Sequence, residues 1–301
     1  MAQRLDTATV GAFARQLEDI EAEVQQIEYA ELPFATGKIV PLDIQNKPHI
    51  QTVTYRQLRK VGRFALQRNY SSSVPMIDVL SEEFTQKTYK YAGGYWYSDD
   101  DIEAVVHTGM DLESEKAAGV KEASEQEMNN LIAFGNVKLG MCGFLNDPNI
   151  LYSYAPYKIS SASTPAQILA LLHDTVTTVV VLTKQVEKPD TMLLPVNQYH
   201  YLANTVWSQN LQTTILEQFL KTSPYIKDIE PLNELAGAGP DGTDLMKVYR
   251  RDRNKVKARI TQPLTWKELQ RKGLGYERPA VFKYGGIVSY RPYSRHIVAG
   301  I

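Results

Sequence analysis

The residues able to do acid–base, nucleophilic or metal chemistry are few and scattered. Five histidines, His49, His107, His173, His200 and His296, stand far apart, and none pairs at i, i+3 or i, i+4 with another histidine or with the cysteine. His173-Asp174 would be a catalytic pair only if the two side chains faced each other. Adjacent residues on a helix do not, so His173 reads as a helix-surface residue. The single cysteine, Cys142, excludes an intramolecular disulfide and a multi-cysteine zinc site. Flanked by Gly140, Met141, Gly143 and Phe144, it reads as a small buried residue. Asp99-Asp100-Asp101 could gather around a divalent cation, but carboxylates are favoured at a helix start in any case. Gly237-Ala-Gly239-Pro-Asp-Gly242 has the letters of a dinucleotide-binding loop, which needs a strand before it and a helix after it. Leu245–Tyr249 follows with strand-like composition, so the glycines read as a turn. There is no G-x-S-x-G elbow and no G-K-[ST] phosphate loop. No catalytic, cofactor-binding or metal-binding residue is therefore assigned, and no cofactor is expected.

The chain that must position these residues has 301 of them, enough for one large domain or two small ones. Hydrophobic residues at 43% and charged residues at 22% give ordinary globular composition. Lys+Arg of 33 against Asp+Glu of 34 argues against a uniformly basic nucleic-acid binder. Uninterrupted apolar stretches such as Val179 to Leu182 are far short of the ~18 residues that cross a bilayer. The N-terminus lacks the apolar core of a signal peptide. The expectation is a soluble protein, cytoplasmic when made, with no membrane partner.

The near-neutral total hides a polarity. Residues 1–31 carry two Arg against seven acids, and residues 246–301 carry fourteen Lys/Arg against Asp252, Glu268 and Glu277. The basic end is interleaved with Val, Ile, Leu and Tyr, so it reads as strands with charged edges. In the acidic end, Val10, Phe13, Leu17, Ile20, Val24 and Ile27 are spaced 3, 4, 3, 4, 3. That is a narrow apolar seam on a helix over about 7–29, suited either to packing on the chain's own domain or to docking Leu17 and Ile20 on another subunit or on the chain's own hairpin. Pro33, Gly37, Pro41 and Pro48 then punctuate an extended arm.

Residues 49–72 read as a hairpin turning near Val61-Gly62, with Thr52, Thr54 and Leu58 on one strand and Phe64, Leu66 and Tyr70 on the other. It carries Arg56, Arg59, Lys60, Arg63 and Arg68 and no acid. Too few large apolar residues per face remain for a core of its own, so it should project. Ser98 or Asp99 opens a short helix to Val106, ended by Gly109. A long helix follows over 111–134, exposing Glu113, Glu115, Glu122, Glu125 and Glu127. Thr164-Pro165-Ala-Gln167 is a capping box that opens another helix. A strand at 192–194, helices from Pro195 and over 211–220, and strands at 245–249, 256–260, 280–282 and 286–290 complete an α+β order. This order lacks the βαβ alternation of a doubly wound fold.

One ordered set of motifs is more specific. The long acidic helix runs into Gly135-Asn-Val-Lys-Leu-Gly140-Met-Cys-Gly143-Phe-Leu-Asn146-Asp-Pro148. Tyr97-Ser98, Ile102, Gly109, Asp111-Leu112 and Lys116-Ala-Ala118 precede it. Tyr249-Arg250-Arg251-Asp252, Ile260-x-x-Pro263-Leu264 and Gly285-Gly286-Ile-Val-x-Tyr290-Arg291-Pro292 follow. Over about residues 40–301 the set resembles the major capsid proteins of tailed bacteriophages, the Hong Kong 97-type fold.

The resemblance implies an N-terminal helix and arm (1–48), an extended E-loop hairpin (49–72) and a peripheral domain with a spine helix (73–160). It further implies an axial domain (161–255) and C-terminal strands returning to the sheets (256–301). It implies a non-enzymatic coat protein that assembles with itself into pentamers and hexamers of an icosahedral shell around double-stranded DNA. Portal, scaffold or decoration proteins would be further partners, and the virion capsid, assembled in the host cytoplasm, the location. Some relatives cross-link subunits through a lysine and an asparagine, and no motif places such a pair here. The basic hairpin of one subunit would then meet the acidic helix of the next. The alternatives are an encapsulin-like nanocompartment shell and a soluble hydrolase with dispersed catalytic residues.

Overall fold

The β-rich C-terminal third builds the frame onto which the rest of the chain is laid. The computed structural model describes residues 31–64, 76–102, 112–208 and 213–301. Its strands are β1 (Leu42–Ile44), β2 (Thr52–Val61), β3 (Asp78–Lys87), β4 (Tyr89–Ser98), β5 (Gly135–Asn136), β6 (Met141–Cys142), β7 (Leu151–Tyr154) and β8 (Thr191–Leu194). They continue as β9 (Val206–Ser208), β10 (Thr213–Thr214), β11 (Asp228–Pro231), β12 (Leu245–Tyr249), β13 (Val256–Trp266), β14 (Gln270–Arg271), β15 (Gly275–Ser289) and β16 (Arg295–Ala299). The α-helices are α1 (Leu112–Ala133), α2 (Pro165–Leu182), α3 (Val196–Asn204) and α4 (Ile215–Thr222).

The first sheet has β13 and β15 antiparallel at its centre, with β1 parallel to β13 and β4 antiparallel to β15. The two strands expected at 280–282 and 286–290 are one strand. Ala258 faces Ile287 and Ile260 faces Tyr284, so Arg259 alone stands opposite Gly285 and Gly286. Gly286 takes φ +83° there. The glycine pair absorbs a bulge instead of ending the strand.

The second sheet has the order β11-β8-β12-β16-β7. Its strands alternate between two cores, as a period of two requires. Leu193, Leu245, Tyr249, Ile297 and Ala299 join a core with the first sheet, Phe34, Ile132 and Phe144. Met192, Leu194, Met246, Val248 and Val298 join a second core under α2, α3 and α4, against Ile168, Leu172, Leu202, Ile215 and Phe219. Expected segments 73–160, 161–255 and 256–301 all contribute strands to this sheet.

The helix signals hold where a cap is present. Thr164 and Gln167 form the capping box of α2, and Thr214 with Glu217 forms that of α4, which runs from 215 to 222 and not from 211 to 220. Ser98 and Asp101 exchange N-cap hydrogen bonds of 3.1 and 3.0 Å, so this aspartate run caps a helix start. The expected continuation to Val106 and Gly109 lies outside the described residues. Apolar length needs one correction. α2 spans 18 residues with mean hydropathy 1.5, enough by length and composition to cross a bilayer. Ile168, Leu172, Val176 and Val179 on it are buried in the second core, which makes it a core helix here.

α1, about 33 Å long, buries only its last turns, at Asn129, Leu131, Ile132 and Ala133. The glycine motif after it is a turn built of close backbone contacts. Gly135 has φ +71°, and a Cβ there would lie 2.3 Å from the Met141 carbonyl oxygen. A Cβ on Gly143 would lie 2.4 Å from the Ala133 oxygen. Asn146 locks the turn: its Oδ1 accepts from the Gly143 N–H and its Nδ2 donates to the Phe134 oxygen, both at 2.6 Å.

The hairpin is longer than expected and has a different second strand. β2 pairs with β3 over ten residues, from Thr52 opposite Lys87 to Val61 opposite Asp78. The second strand is therefore 78–87 and not 63–72. Leu66, Arg68 and Tyr70, and the seam residues Leu17 and Ile20, lie outside the described residues.

Candidate inter-subunit surface

Among the described residues, the hairpin is fixed to the body near its base. Val53 is buried, and Tyr55 stacks on Phe84 at 5.3 Å and meets Tyr290 edge-on at 5.4 Å. Gln57 Nε2 donates to the Tyr290 carbonyl at 2.7 Å, and Gln86 Nε2 donates to the Ile287 carbonyl at 2.9 Å. These two glutamines reach from neighbouring strands to the end of β15 and the residue just after it. Toward the tip, large apolar side chains are exposed: Leu58 at 71%, Phe64 at 95% and Met76 at 83%.

Strand alternation splits the basic row. Val53, Tyr55, Gln57, Arg59 and Val61 point to the face that also carries Phe84, Glu82, Leu80 and Asp78. Arg56, Leu58 and Lys60 point to the other face, with Glu83, Ser81 and Val79. The hairpin is not purely basic, because its second strand brings Asp78, Glu82 and Glu83. Arg56 pairs with Glu83 at 2.6 Å. Arg59, Lys60 and Arg63 are exposed. On α1, Glu113, Glu115, Glu125 and Glu127 are exposed and Glu122 is half-buried. Glu113 is engaged within the chain, by Arg278 at 2.7 Å and the Tyr95 hydroxyl at 3.0 Å. In this chain no described contact joins the hairpin cations to the α1 carboxylates.

Between the hairpin and the body lies an open cleft of about 2040 Å³. The hairpin lines it with Arg56, Arg59, Lys60 and Lys87, and the body with Arg253, Lys257 and Arg291. Only three carboxylates line it, Glu82, Asp147 and Glu187. Behind its floor, Asp43 accepts Arg253, Lys257 and Arg259 at 2.6, 3.0 and 3.1 Å. Burial alone would raise the Asp43 pKa, but Lys257, Arg253 and Arg259 outweigh it and hold the carboxyl below its ordinary value.

Deeper still, Arg295 is fully buried and its Nη2 meets Asp147 at 2.7 Å. Lys247 is also fully buried. It donates to the Phe144 carbonyl, and its Nζ stands 3.6 Å from the Phe144 ring centre. Burial pushes the Lys247 amine well below the ordinary ammonium range, and Arg295 adds to the effect.

Among the described residues, those first considered for chemistry are placed apart from one another, and His107 lies outside the described residues. His173 on α2 touches the Thr222 hydroxyl at 3.0 Å and the Phe219 ring at 5.0 Å. Cys142 is exposed, contrary to expectation, because the strand pair β5–β6 turns it toward the cleft. The Gly237–Gly242 loop is a short turn leading into β12, with no helix after it. Among the described residues no group of three or more His, Cys, Asp or Glu is arranged to hold a metal ion.

A family model described as major capsid protein matches residues 62–301. The chain belongs to that family. It is a structural capsid protein, not an enzyme. Its fold is similar to the capsid of Myoviridae phage XM1, with TM-score 0.82 at 20% identity, covering 96% of this chain and 98% of that one. A Mycobacterium phage Bobi structure aligns with TM-score 0.63 at 14% identity over 99% of both chains. A virus-like particle from Pyrococcus furiosus aligns with TM-score 0.51 at 12% identity, over 89% of this chain and 95% of that one. No curated protein matches the chain by sequence.

For a capsid protein the informative surfaces are those that lack a partner within the chain. Sequence reading named the hairpin cations and the helix carboxylates, which no described contact joins within one chain. It missed the anchoring Gln57 and Gln86 and the cleft cations Arg253, Lys257 and Arg291. Their signal was weak: Asp78–Lys87 reads as a polar stretch, and its pairing with β2 spans a long intervening segment.

Proposed function

We propose that this capsid protein forms an icosahedral shell of pentamers and hexamers around double-stranded DNA, with the Hong Kong 97-type division of labour. In this reading the β2–β3 hairpin is the E-loop, α1 is the spine helix of the peripheral domain, and the α2–α4 layer belongs to the axial domain. Residues 1–48 act as the arm. Portal, scaffold or decoration proteins complete the particle, which assembles in the host cytoplasm.

The observation that carries this reading is the hairpin. Its ten-residue strands are held at the base by Gln57 and Gln86, while Leu58, Phe64 and Met76 stand in solvent. A two-stranded ribbon is marginal on its own, and exposed apolar side chains gathered at one end mark an interaction site. The ribbon gains its missing cover by lying on the next subunit. There Arg59, Lys60 and Arg63 meet the carboxylates of Glu115, Glu122, Glu125 and Glu127. Arg56 contributes less, because Glu83 already holds it.

Negative-stain microscopy of the purified full chain is the test. Shells or capsomers are expected, and a stable monomer under all conditions overturns the reading. Nucleic acid rather than protein cargo in particles from infected cells separates a virion shell from a nanocompartment.

A further inference from the structure

We propose that β4 is a self-pairing edge: through it one subunit joins its first sheet, antiparallel, to β4 of a second copy across a two-fold axis at Gly93. The inference rests on the shell reading and adds a specific contact to it.

The free edge follows from the backbone. β4 pairs with β15 over its whole length, from Tyr89 opposite Tyr284 to Ser98 opposite Gly275, without a register break. On β15 the carbonyls of Gly275 and Pro279 accept from Lys272 and Lys267, on the side away from β4, while the Leu274 carbonyl just before it accepts from Asp99. Successive residues of an antiparallel ladder turn their backbone groups to alternate sides. The odd positions of β15 therefore turn away from β4, and their partners Lys90, Ala92, Gly94 and Trp96 turn their N–H and C=O groups outward. Among the described residues the Lys116 amine meets one of these groups, the Trp96 carbonyl, at 3.0 Å, and no described strand pairs with this side of β4. An open edge is ordinarily blunted by proline, a bulge or several charges. β4 has one charged residue, Lys90, and exposes Trp96.

The edge is its own complement. Reflected about Gly93, Ala92 falls opposite Gly94, Tyr91 opposite Tyr95, Lys90 opposite Trp96 and Tyr89 opposite Tyr97. This register sets the outward-turned residues against each other as hydrogen-bonded pairs. It leaves Gly93 on the axis in a non-hydrogen-bonded pair, where Cα atoms approach to ~4.5 Å. No other atom lies within 4 Å of the position a Cβ on Gly93 would take, so the chain's own side chains leave that approach open.

Charge agrees with this register. Within the chain Lys90 stands opposite Lys283, and like charges so placed repel. Across the axis Lys90 lies beside the partner subunit's Trp96. In its own chain Trp96 stands opposite Glu277, which also holds Lys272 at 2.8 Å. An open groove of about 580 Å³ along Ala92, Gly94, Trp96 and Glu277 receives the incoming lysine. An indole ring next to a carboxylate favours an ammonium group. A contact of one surface with itself needs a two-fold axis, and a closed shell of pentamers and hexamers supplies one between neighbouring capsomers.

Gly93→Cys tests the axis, in a chain whose own cysteine is removed by Cys142→Ser. Two cysteines at a non-hydrogen-bonded antiparallel pair lie within disulfide range. Assembled particles are oxidised with copper–phenanthroline and sized on a non-reducing gel. Most chains should run as covalent dimers. Lys90→Cys is the control: it is also exposed, but its two copies stand about six residues apart along the strands, roughly 20 Å, and should link at least ten-fold less. Particles of the Gly93→Cys chain that yield no dimer overturn the proposal and leave the shell reading standing. Equal linking at both positions marks random collision and also overturns it. If Gly93→Cys itself stops assembly, particles mixed from Lys90→Cys and Trp96→Cys subunits decide: linked heterodimers are expected, and their absence overturns the proposal. Failure of the unsubstituted chain to form any particle overturns both readings.

Discussion

Arg56 and Glu83 stand directly opposite each other across the hairpin, with Nε and Oε1 2.6 Å apart. The pair takes one cation out of the row that the sequence presents as uniformly basic. Among the five hairpin cations, those left for a neighbour are Arg59, Lys60 and Arg63, with Arg68 outside the described residues.

Changing Arg59, Lys60 and Arg63 together to Glu should block assembly while leaving the subunit folded. Exposed charges contribute little to subunit stability, so circular dichroism should not change. Adding Glu122→Lys, Glu125→Lys and Glu127→Lys in the same chain should restore particles in part. Light scattering at low and high salt reads both effects. Normal assembly of the triple variant at low salt would remove these residues from the interface.

The glycine turn predicts opposite signs at two glycines. Gly143→Ala forces a Cβ within 2.4 Å of the Ala133 oxygen, and overpacking of this kind costs ~1–3 kcal/mol or more. Gly119 lies in α1 with open space around its Cβ position. Gly119→Ala should therefore stabilise by ~0.5–1 kcal/mol through helix propensity. Urea denaturation of the subunit separates the two.

Asp147→Asn should destabilise the subunit strongly. Arg295 has 0% side-chain exposure and relies on Asp147 for its one charge partner. Removing one member of a buried pair leaves an uncompensated charge, at ~3–5 kcal/mol. A neutral pair, Asp147→Asn with Arg295→Met, should recover much of the loss. Chemical denaturation of the single and double variants checks this.

His296 should give the fold an acid limit. Its Nδ1–H donates to the Thr175 carbonyl at 3.1 Å, so the neutral ring accepts the Ser153 hydroxyl at Nε2, 2.7 Å away. Burial lowers its pKa below the ordinary 6.5. Below about that ordinary value the unfolded chain takes up a proton that the folded chain refuses. Stability is thus complete above pH 6.5 and falls as pH drops toward the depressed folded value. His173, also lowered by burial, contributes in the same direction. His296→Gln should flatten this part of the profile in thermal melts between pH 7 and pH 5.

Local signals made the helices legible. Thr164 and Ser98 announce helix starts because a cap and its partner three residues on are close in sequence; Thr214 with Glu217 carries the same signal, which the reading of a helix from 211 passed over. The long acidic helix and the glycine turn after it were legible for the same reason. Long-range pairing was not. Nothing near Asp78–Lys87 shows that it lies against Thr52–Val61, and Gly285-Gly286 looks like a stop when it is a bulge inside one strand. Cys142 was misread because a glycine-rich setting suggests close packing, whereas here the glycines crowd the backbone and turn the thiol outward. The cleft required strands from distant parts of the chain and left no trace in any one segment.

Strands β12 and β16 are a wall common to two rooms. Tyr249 and Ile297 face one core, and Val248 and Val298 face the other. Neither core can melt without stripping one side of the strands that the other needs. The body should therefore unfold as a single cooperative unit, and it should carry load the same way. A load felt on one core passes through a shared sheet and not across a hinge. Any change of subunit shape on self-association then falls to the parts outside this shared frame, the hairpin first among them.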